Sequence, residues 1–523
     1  MTTLSKIEAD FKEAAGAMDN TIGDIELWIP RISKLLQTLE ASHHQGVLDL
    51  SAALRPHNPT LAAGLDTNAQ TGLKACLEDG FDIGDVDNDL AFCLYWMHNL
   101  PEEFDSAIKS HPFLKLLWPL VMAAAPAPAI SNADMTTLQQ TTLQSGMVLT
   151  TSDGSIIGLG KYEMLDAGWL WTVLNRMLNF LSTAKFRSNN SFKPIPLSPR
   201  PDTGTDGTVK IAIIGDWGTG TYPASTHGDG QQAADVLKTA VDLNPDYIIH
   251  LGDTYYAGTS KKRLPPGEEK ANLVDLWANL TPGFPAGRFF ALNSNHEMYG
   301  GAFGLYNDAL DKPIFAAQGG LTYFALQFKN WLLGGIDSAY FSPSITYLKG
   351  GLGSTAKDPH QYKFLQDFSS YAADKKMNTL LMSHHNPITT FADGLFGPLW
   401  GDVTGTGKLM PDYWYWGHIH LGAVYSDTAP IWKQLKLANP PKARCIGHSA
   451  IPVATPWGFS EPENAGAADW WAATPKKTPL DTNTEKLQWA DRIKNGFAII
   501  TLSDGSISEA IYDQDSSTPV WRS

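Results

Sequence analysis

From residue 209 onward, short apolar runs alternate with stretches whose apolar positions recur at three-and-four spacing. Val209 to Ile214, Tyr247 to Leu251, Arg288 to Leu292, Thr379 to Met382 and Tyr413 to Trp416 are each too short for a stable helix, and they read as buried strands. Gln231 to Val241 has helical spacing and predicts a crossover helix, so this part of the chain follows α/β grammar. Near the end, Gly496 to Leu502 and Ile507 to Tyr512 flank a turn at Asp504-Gly505 and predict a closing hairpin.

The first part of the chain has a different pattern. Ile7 to Ala17, Ile25 to Leu39, Leu90 to Leu100 and Met164 to Leu181 are spaced as helices, while Asp153-Gly154 between two apolar runs predicts a hairpin within Met147 to Tyr162. Phe186 to Gly207 is rich in Pro, Ser, Asn, Asp and Thr and reads as a linker. The expected organisation is a mainly helical domain at 1–185 without a chemical motif, a linker at 186–207 and an α/β domain at 208–523. A chain of 523 residues is long enough to require more than one core.

Composition narrows the function. A formal net charge of −15, with no basic run beyond Lys261-Lys262-Arg263, lacks the electrostatic footprint of a nucleic-acid binder. Three cysteines without a CxxC pair are expected as free thiols in a reducing compartment. Met1 to Asp19 is charged throughout and has no apolar leader core. Leu116 to Ile130 is short and broken by Pro119, Pro126 and Pro128, so a cytoplasmic protein without membrane insertion is expected. The 17 tryptophans are expected mainly in cores.

The chemistry lies where the predicted strands stop. The first ends at Asp216, the second at Asp253, the third at Asn295-His296-Glu297, the fourth at His384-His385 and the fifth at His418 and His420. In α/β sheets the crevice at the carboxyl ends of strands is where ligands bind. Carboxylate, amide and imidazole donors together suit Fe, Mn, Zn or Co, and so many donors can serve two ions sharing a bridging carboxylate.

These blocks, in order over residues 211–420, resemble the signature of the calcineurin-like metallophosphoesterases: Asp-x-His or Asp-x-Gly, Gly-Asp, Gly-Asn-His-Asp/Glu, a His, then Gly-His-x-His. Two departures resemble the purple acid phosphatases. Gly218 stands where most of the superfamily has a metal-binding His, and Tyr256 stands three residues after Asp253, where a phenolate could replace that imidazole. Ser294 replaces the usual Gly before Asn295, and the histidines that purple acid phosphatases often carry after the fourth block are missing from Asn386 to Phe396.

The resemblance implies a four-layer αββα sandwich preceded by the mainly helical N-terminal domain. It assigns Asp216, Tyr256 and His420 to one metal, Asn295, His385 and His418 to the other, and Asp253 as bridge. His384 is the alternative to His385. The implied cofactors are two di- or trivalent ions, Fe(III) with Fe, Mn or Zn. The implied catalytic residues are Asp253 and His296, with His296 contacting the phosphate or protonating the leaving oxygen and Glu297 orienting its ring. The implied function is hydrolysis of small phosphate monoesters by a hydroxide held on the two metals. Its alternatives are a phosphodiesterase acting on cyclic nucleotides or other diesters, and a non-catalytic protein whose metals stabilise the fold. Of the other histidines, His250 is expected as a satisfied core group, His448 as a structural or pocket-lining residue, and His227 in an exposed loop.

Overall fold

The computed structural model describes residues 183–523, apart from 190, 203–206, 223–229, 262–266, 344–346, 356–358 and 477–491, together with residues 149–150, 152–157, 161–162 and 172. The helices expected at Ile7 to Ala17, Ile25 to Leu39 and Leu90 to Leu100 lie outside the described residues, as does all of Met164 to Leu181 except Thr172.

The strands in chain order are β1 (Leu149–Thr150), β2 (Ile156–Ile157), β3 (Ile195–Pro196), β4 (Val209–Ile214), β5 (Tyr247–His250), β6 (Phe289–Ala291), β7 (Phe324–Phe328), β8 (Trp331–Ile336), β9 (Asn378–Ser383), β10 (Tyr413–Trp416), β11 (Gly422–Tyr425), β12 (Lys442–Ile446), β13 (Ala468–Trp471), β14 (Gly496–Leu502), β15 (Ile507–Asp513) and β16 (Pro519–Arg522). The helices that matter below are α1 (Gln232–Asp242), α2 (Asn295–Tyr299) and α3 (His360–Lys375). The first hairpin forms as expected, with Leu149 opposite Ile157, and the Asp153 carboxylate accepts the Ser155 amide in its turn at 3.1 Å.

Two mixed sheets carry the fold. One runs β16-β15-β14-β4-β5-β6, the other β13-β11-β12-β10-β9-β8-β7-β3. β4, β5 and β6 are parallel, and so are β8, β9, β10 and β12. The sheets face each other across an apolar layer, because successive side chains of a strand point to opposite faces. Ile211 and Ile213 of β4, Leu380 and Met382 of β9 and Tyr415 of β10 enter that layer. Ala212 and Ile214 turn outward, to a cluster that includes Val236 and Leu237 of α1. Leu381, Trp414 and Trp416 turn to the opposite outer layer, with Leu365 and Phe368 of α3. Both faces of the central strands are covered, which is why they read as continuous apolar runs rather than alternating ones. Trp217, Trp277, Trp414, Trp416 and Trp432 are fully buried, in line with the core reading of the aromatic load.

Residues 186–202, read from composition as linker, pack along the α/β domain. β3 pairs with β7 in parallel, the Arg187 guanidinium pairs with Asp311, and the Arg200 amide donates to Asp246 at 2.6 Å. A proline-bearing two-residue strand suits a sheet edge, where no further partner needs its amide.

The two sheets are also pinned by charge. Arg444 of β12 and Glu509 of β15 form a buried two-pronged ion pair, with Nε to Oε1 at 2.8 Å and the second guanidinium nitrogen to Oε2 at 2.9 Å, and the Tyr415 hydroxyl donates to the same carboxylate. Removing one member strands the other without compensation. Glu509→Ala is therefore expected to cost about 3–5 kcal/mol of stability, and Arg444→Met with Glu509→Leu much less. Equilibrium denaturant unfolding of the two variants checks this.

Candidate metal centre

Parallel strands bring their carboxyl ends to one edge, and the turns leaving β4, β5, β6, β9 and β10 deliver the predicted donors together. Asp216, Asp253, Asn295, His384 and His385 are buried, and His420 keeps 28% of its side chain exposed. The backbone is held unfavourably there. Asp216, Asp253, His418 and His420 have φ of 55°, 78°, 70° and 48°, left-handed conformations that cost about 1–3 kcal/mol each and cluster at functional sites.

Hydrogen bonds fix which ring nitrogens carry protons. His384 Nδ1 faces the Leu251 carbonyl at 3.1 Å and must donate to it, so its Nε2 presents a lone pair. That Nε2 lies 2.8 Å from Asn295 Oδ1 and 3.2 Å from Asp253 Oδ1. His418 Nε2 donates to the Leu348 carbonyl at 3.1 Å, leaving Nδ1 as a lone pair 3.1 Å from Asn295 Oδ1 and 3.2 Å from His384 Nε2. The His384 Nε2 lone pair thus faces three further acceptors, on Asn295, His418 and Asp253, an arrangement that repels unless a cation sits among them. The separations suit one: donors about 2.1 Å from an ion and at right angles to one another are about 3.0 Å apart. The carbonyl behind each imidazole is the usual second partner of a metal-bound histidine.

His385 is placed differently. Its Nε2 lies 2.6 Å from the Tyr347 carbonyl and its Nδ1 2.9 Å from the Ser338 hydroxyl, so both nitrogens are engaged by protein groups. Its ring still lies beside those of His384 and His418, with potential ligand atoms within 4.8 Å of one another. Of the two neighbours, His384 has the nitrogen turned toward Asp253.

A second group of donors adjoins the first. His420 Nε2 is 3.4 Å from Asp216 Oδ1 and 3.8 Å from Asp253 Oδ2. The phenol in this group belongs to Tyr255, whose hydroxyl lies 2.8 Å from Asp253 Oδ2 and 3.0 Å from His420 Nε2. Tyr256, the expected ligand, has its ring against Tyr162 with centroids 4.6 Å apart. The reason is a close backbone approach. The Gly218 amide donates to the Asp253 carbonyl at 2.9 Å, and the Tyr255 amide donates to the Gly218 carbonyl at 2.9 Å. A Cβ on residue 218 would lie 2.6 Å from both the Asp253 oxygen and Thr254 Cα. Gly218 therefore excludes a histidine and also draws Tyr255 over the site.

His296 and Glu297 follow on α2. Ser294 caps this helix, with extended backbone at φ −135° and its hydroxyl accepting the His296 amide. His296 Nδ1 donates to the Tyr256 carbonyl at 2.6 Å, and Nε2 faces Asp253 Oδ2 at 3.9 Å. The group that orients the ring is thus a carbonyl and not Glu297, as the sequence suggests. Glu297 instead shares the Ser294 hydroxyl with Asp253. The Asp253 amide also reaches Glu297, at 3.4 Å. Burial, reinforced by the Asp253 charge, pushes Glu297 up to about 8.

Electrostatics also call for a cation. Burial and then the neighbouring Asp253 raise Asp216 well above the usual carboxylate range. Burial would raise Asp253 too, and it is held low only by positive charge at the positions of His384 and His296, a charge that neutral rings lack and a cation would supply. Burial drives His384 and His418 down to about 3, leaving their rings neutral and able to ligate. Among the described residues, histidines are the ion-pair partners of Asp216 and Asp253.

The remaining histidines are structural or undescribed. His250 is buried against Trp217 and Trp277, and neither ring nitrogen has a hydrogen-bond partner among the described residues, contrary to the satisfied core group expected. His448 is buried against Gly422 and Gly496. His227 lies outside the described residues. Among the described residues, no helix is long and apolar enough to cross a membrane.

The family described as calcineurin-like phosphoesterase matches residues 209–422. No curated protein matches the chain. Among solved structures, GAP50, the anchor in the inner membrane complex of Plasmodium, is similar at 12% identity and a TM-score of 0.35, covering 60% of this chain and 88% of that one. A conserved uncharacterized protein of Streptococcus pneumoniae, titled a predicted phosphoesterase, is similar at 8% identity and a TM-score of 0.22, covering 61% of this chain and 98% of that one. With the family match spanning the strands whose ends carry the donors, residues 209–422 are a calcineurin-like phosphoesterase domain.

Proposed function

We propose that this domain hydrolyses phosphate monoesters at a two-metal centre. One ion is held by Asp216, Asp253, Tyr255 and His420, the other by Asp253, Asn295, His384 and His418. The observation that carries the reading is that the His384 Nε2 lone pair faces the acceptors of Asn295, His418 and Asp253, beside a second donor group on the same Asp253. This ligand set replaces His385 by His384 and Tyr256 by Tyr255 relative to the resemblance.

Two ions bound there supply Lewis acidity toward phosphoryl oxygens and lower the pKa of water. The chain's own groups do the rest. Asp253 is held by Ser294, so its oxygens stay aimed at both donor groups. His296, with Nδ1 tied to a carbonyl, turns Nε2 toward the site. When protonated there it can pass a proton to the leaving oxygen, a contribution of roughly 100-fold or more in rate. A purely structural metal site has no use for such a residue, and this argues against the non-catalytic alternative. The phenol of Tyr255 is a hard anionic donor once deprotonated and favours Fe(III).

Purified protein should hydrolyse p-nitrophenyl phosphate with kcat/KM at least about tenfold above that for bis-p-nitrophenyl phosphate, a margin of about 1.4 kcal/mol in transition-state binding. The reverse preference would make it a diesterase with the same ligands. His384→Ala is expected to lose one metal ion per chain and nearly all turnover, while His385→Ala keeps both ions; metal analysis with the opposite pattern would return the ligand role to His385. If iron is present, a visible phenolate-to-Fe(III) band should vanish in Tyr255→Phe and persist in Tyr256→Phe, and absorption spectra of the two variants check which phenol binds.

A further inference from the structure

We propose that Glu268 is a positioning residue for His296, acting through the Tyr255 to Thr259 loop; this rests on the reading of His296 as the proton donor. Glu268 is 5% exposed, and four donors of that loop converge on its carboxylate. Oε1 accepts the Tyr256 amide at 2.8 Å. Oε2 accepts the Ala257 amide at 3.0 Å, the Thr259 amide at 3.2 Å and the Thr259 hydroxyl at 3.1 Å. The Glu268 amide donates back to the Thr259 hydroxyl at 3.2 Å. Donors converging from the backbone on both oxygens need a side chain that only accepts, which a carboxylate provides and an amide does not.

The mechanical link is one residue long. The amide of Tyr256 is fixed by Glu268, and its carbonyl receives the His296 Nδ1 hydrogen at 2.6 Å. The Thr172 hydroxyl donates to the same carbonyl at 3.0 Å. The loop also lies directly on α2: a Cβ at Gly258 would be 2.8 Å from Glu297 Cα. Rotating the backbone at Tyr256 would therefore turn the acceptor away from His296 and release its ring. Tyr255, one residue earlier, keeps two bonds of its own when Glu268 is lost, its amide to Gly218 and its carbonyl to the Asn272 side chain at 2.8 Å. Loss of Glu268 should disturb His296 and leave the phenol and the metal ligands in place.

In Glu268→Gln an NH2 group would face backbone N–H donors. The test compares kcat and KM of wild type, E268Q, H296N and the double variant on p-nitrophenyl phosphate, whose leaving group needs little help, and on phenyl phosphate, whose leaving group needs a proton. E268Q should lower kcat on phenyl phosphate by roughly tenfold to a hundredfold, part of what a general acid contributes, with KM and metal content retained and little change on p-nitrophenyl phosphate. The double variant should be no slower than H296N alone. Equal losses on both substrates, or losses that multiply with H296N, would overturn the proposal. A readout independent of turnover is the nitrogen NMR of His296. Wild type should show the Nδ1–H form and E268Q should lose it, and an unchanged signal would refute the link even if no phosphate ester proved to be a substrate. Were E268Q not to fold, Thr259→Val, which removes one of the four donors, should give the same pattern in weaker form, and its absence would count against Glu268.

Discussion

Buried carboxylates and imidazole lone pairs do not gather at one point unless something positive lies between them. Asp216 and Asp253 are fully buried, and of the rings that face Asp253, His384 and His296 already donate their other nitrogens to carbonyls. Moving such groups out of water costs several kcal/mol apiece, and their mutual repulsion adds to it. The left-handed backbone at Asp216, Asp253, His418 and His420 adds strain at the same place. The two-sheet core has to hold these groups together, and bound cations would turn the arrangement from a cost into a binding site.

The core is built to withstand this. Strands β4, β5, β9 and β10 are covered on both faces, and the buried Arg444–Glu509 pair ties one sheet to the other. Donors therefore project from the ends of rigid elements into loops that are themselves hydrogen-bonded. The Gly218–Thr254 bridge and the Glu268 carboxylate are two such fixtures. Between them they set where Tyr255 lies and where His296 points, although neither offers the site a donor of its own.

Much of this was legible in the sequence because short, doubly buried strands leave a plain apolar signature. β4 and β10 fall on the predicted residues, and the donors after each strand end follow from that. Strands with mixed signals leave a weaker signature. Glycine weakens a strand pattern, and β8 contains Gly334 and Gly335. In the fold a Cβ at Gly335 would lie 2.5 Å from the Phe324 ring, so the glycine marks close packing. β12 carries Arg444 in its middle, and its inward charge makes sense only once Glu509 arrives from the other sheet. The choices between His384 and His385, and between Tyr255 and Tyr256, could not be made from spacing. Neighbouring residues leaving a strand point in opposite directions, and which one faces the site depends on hydrogen bonds from Leu251, Tyr347 and Gly218, far away in the chain.

The most direct test of the account is a crystal structure of the protein as isolated, with anomalous scattering used to locate metal ions. The account predicts two ions about 3.5–4 Å apart on either side of Asp253, one touching His384 Nε2 and His418 Nδ1 and the other His420 Nε2. A single ion, or ions bound away from Asp253, would contradict it.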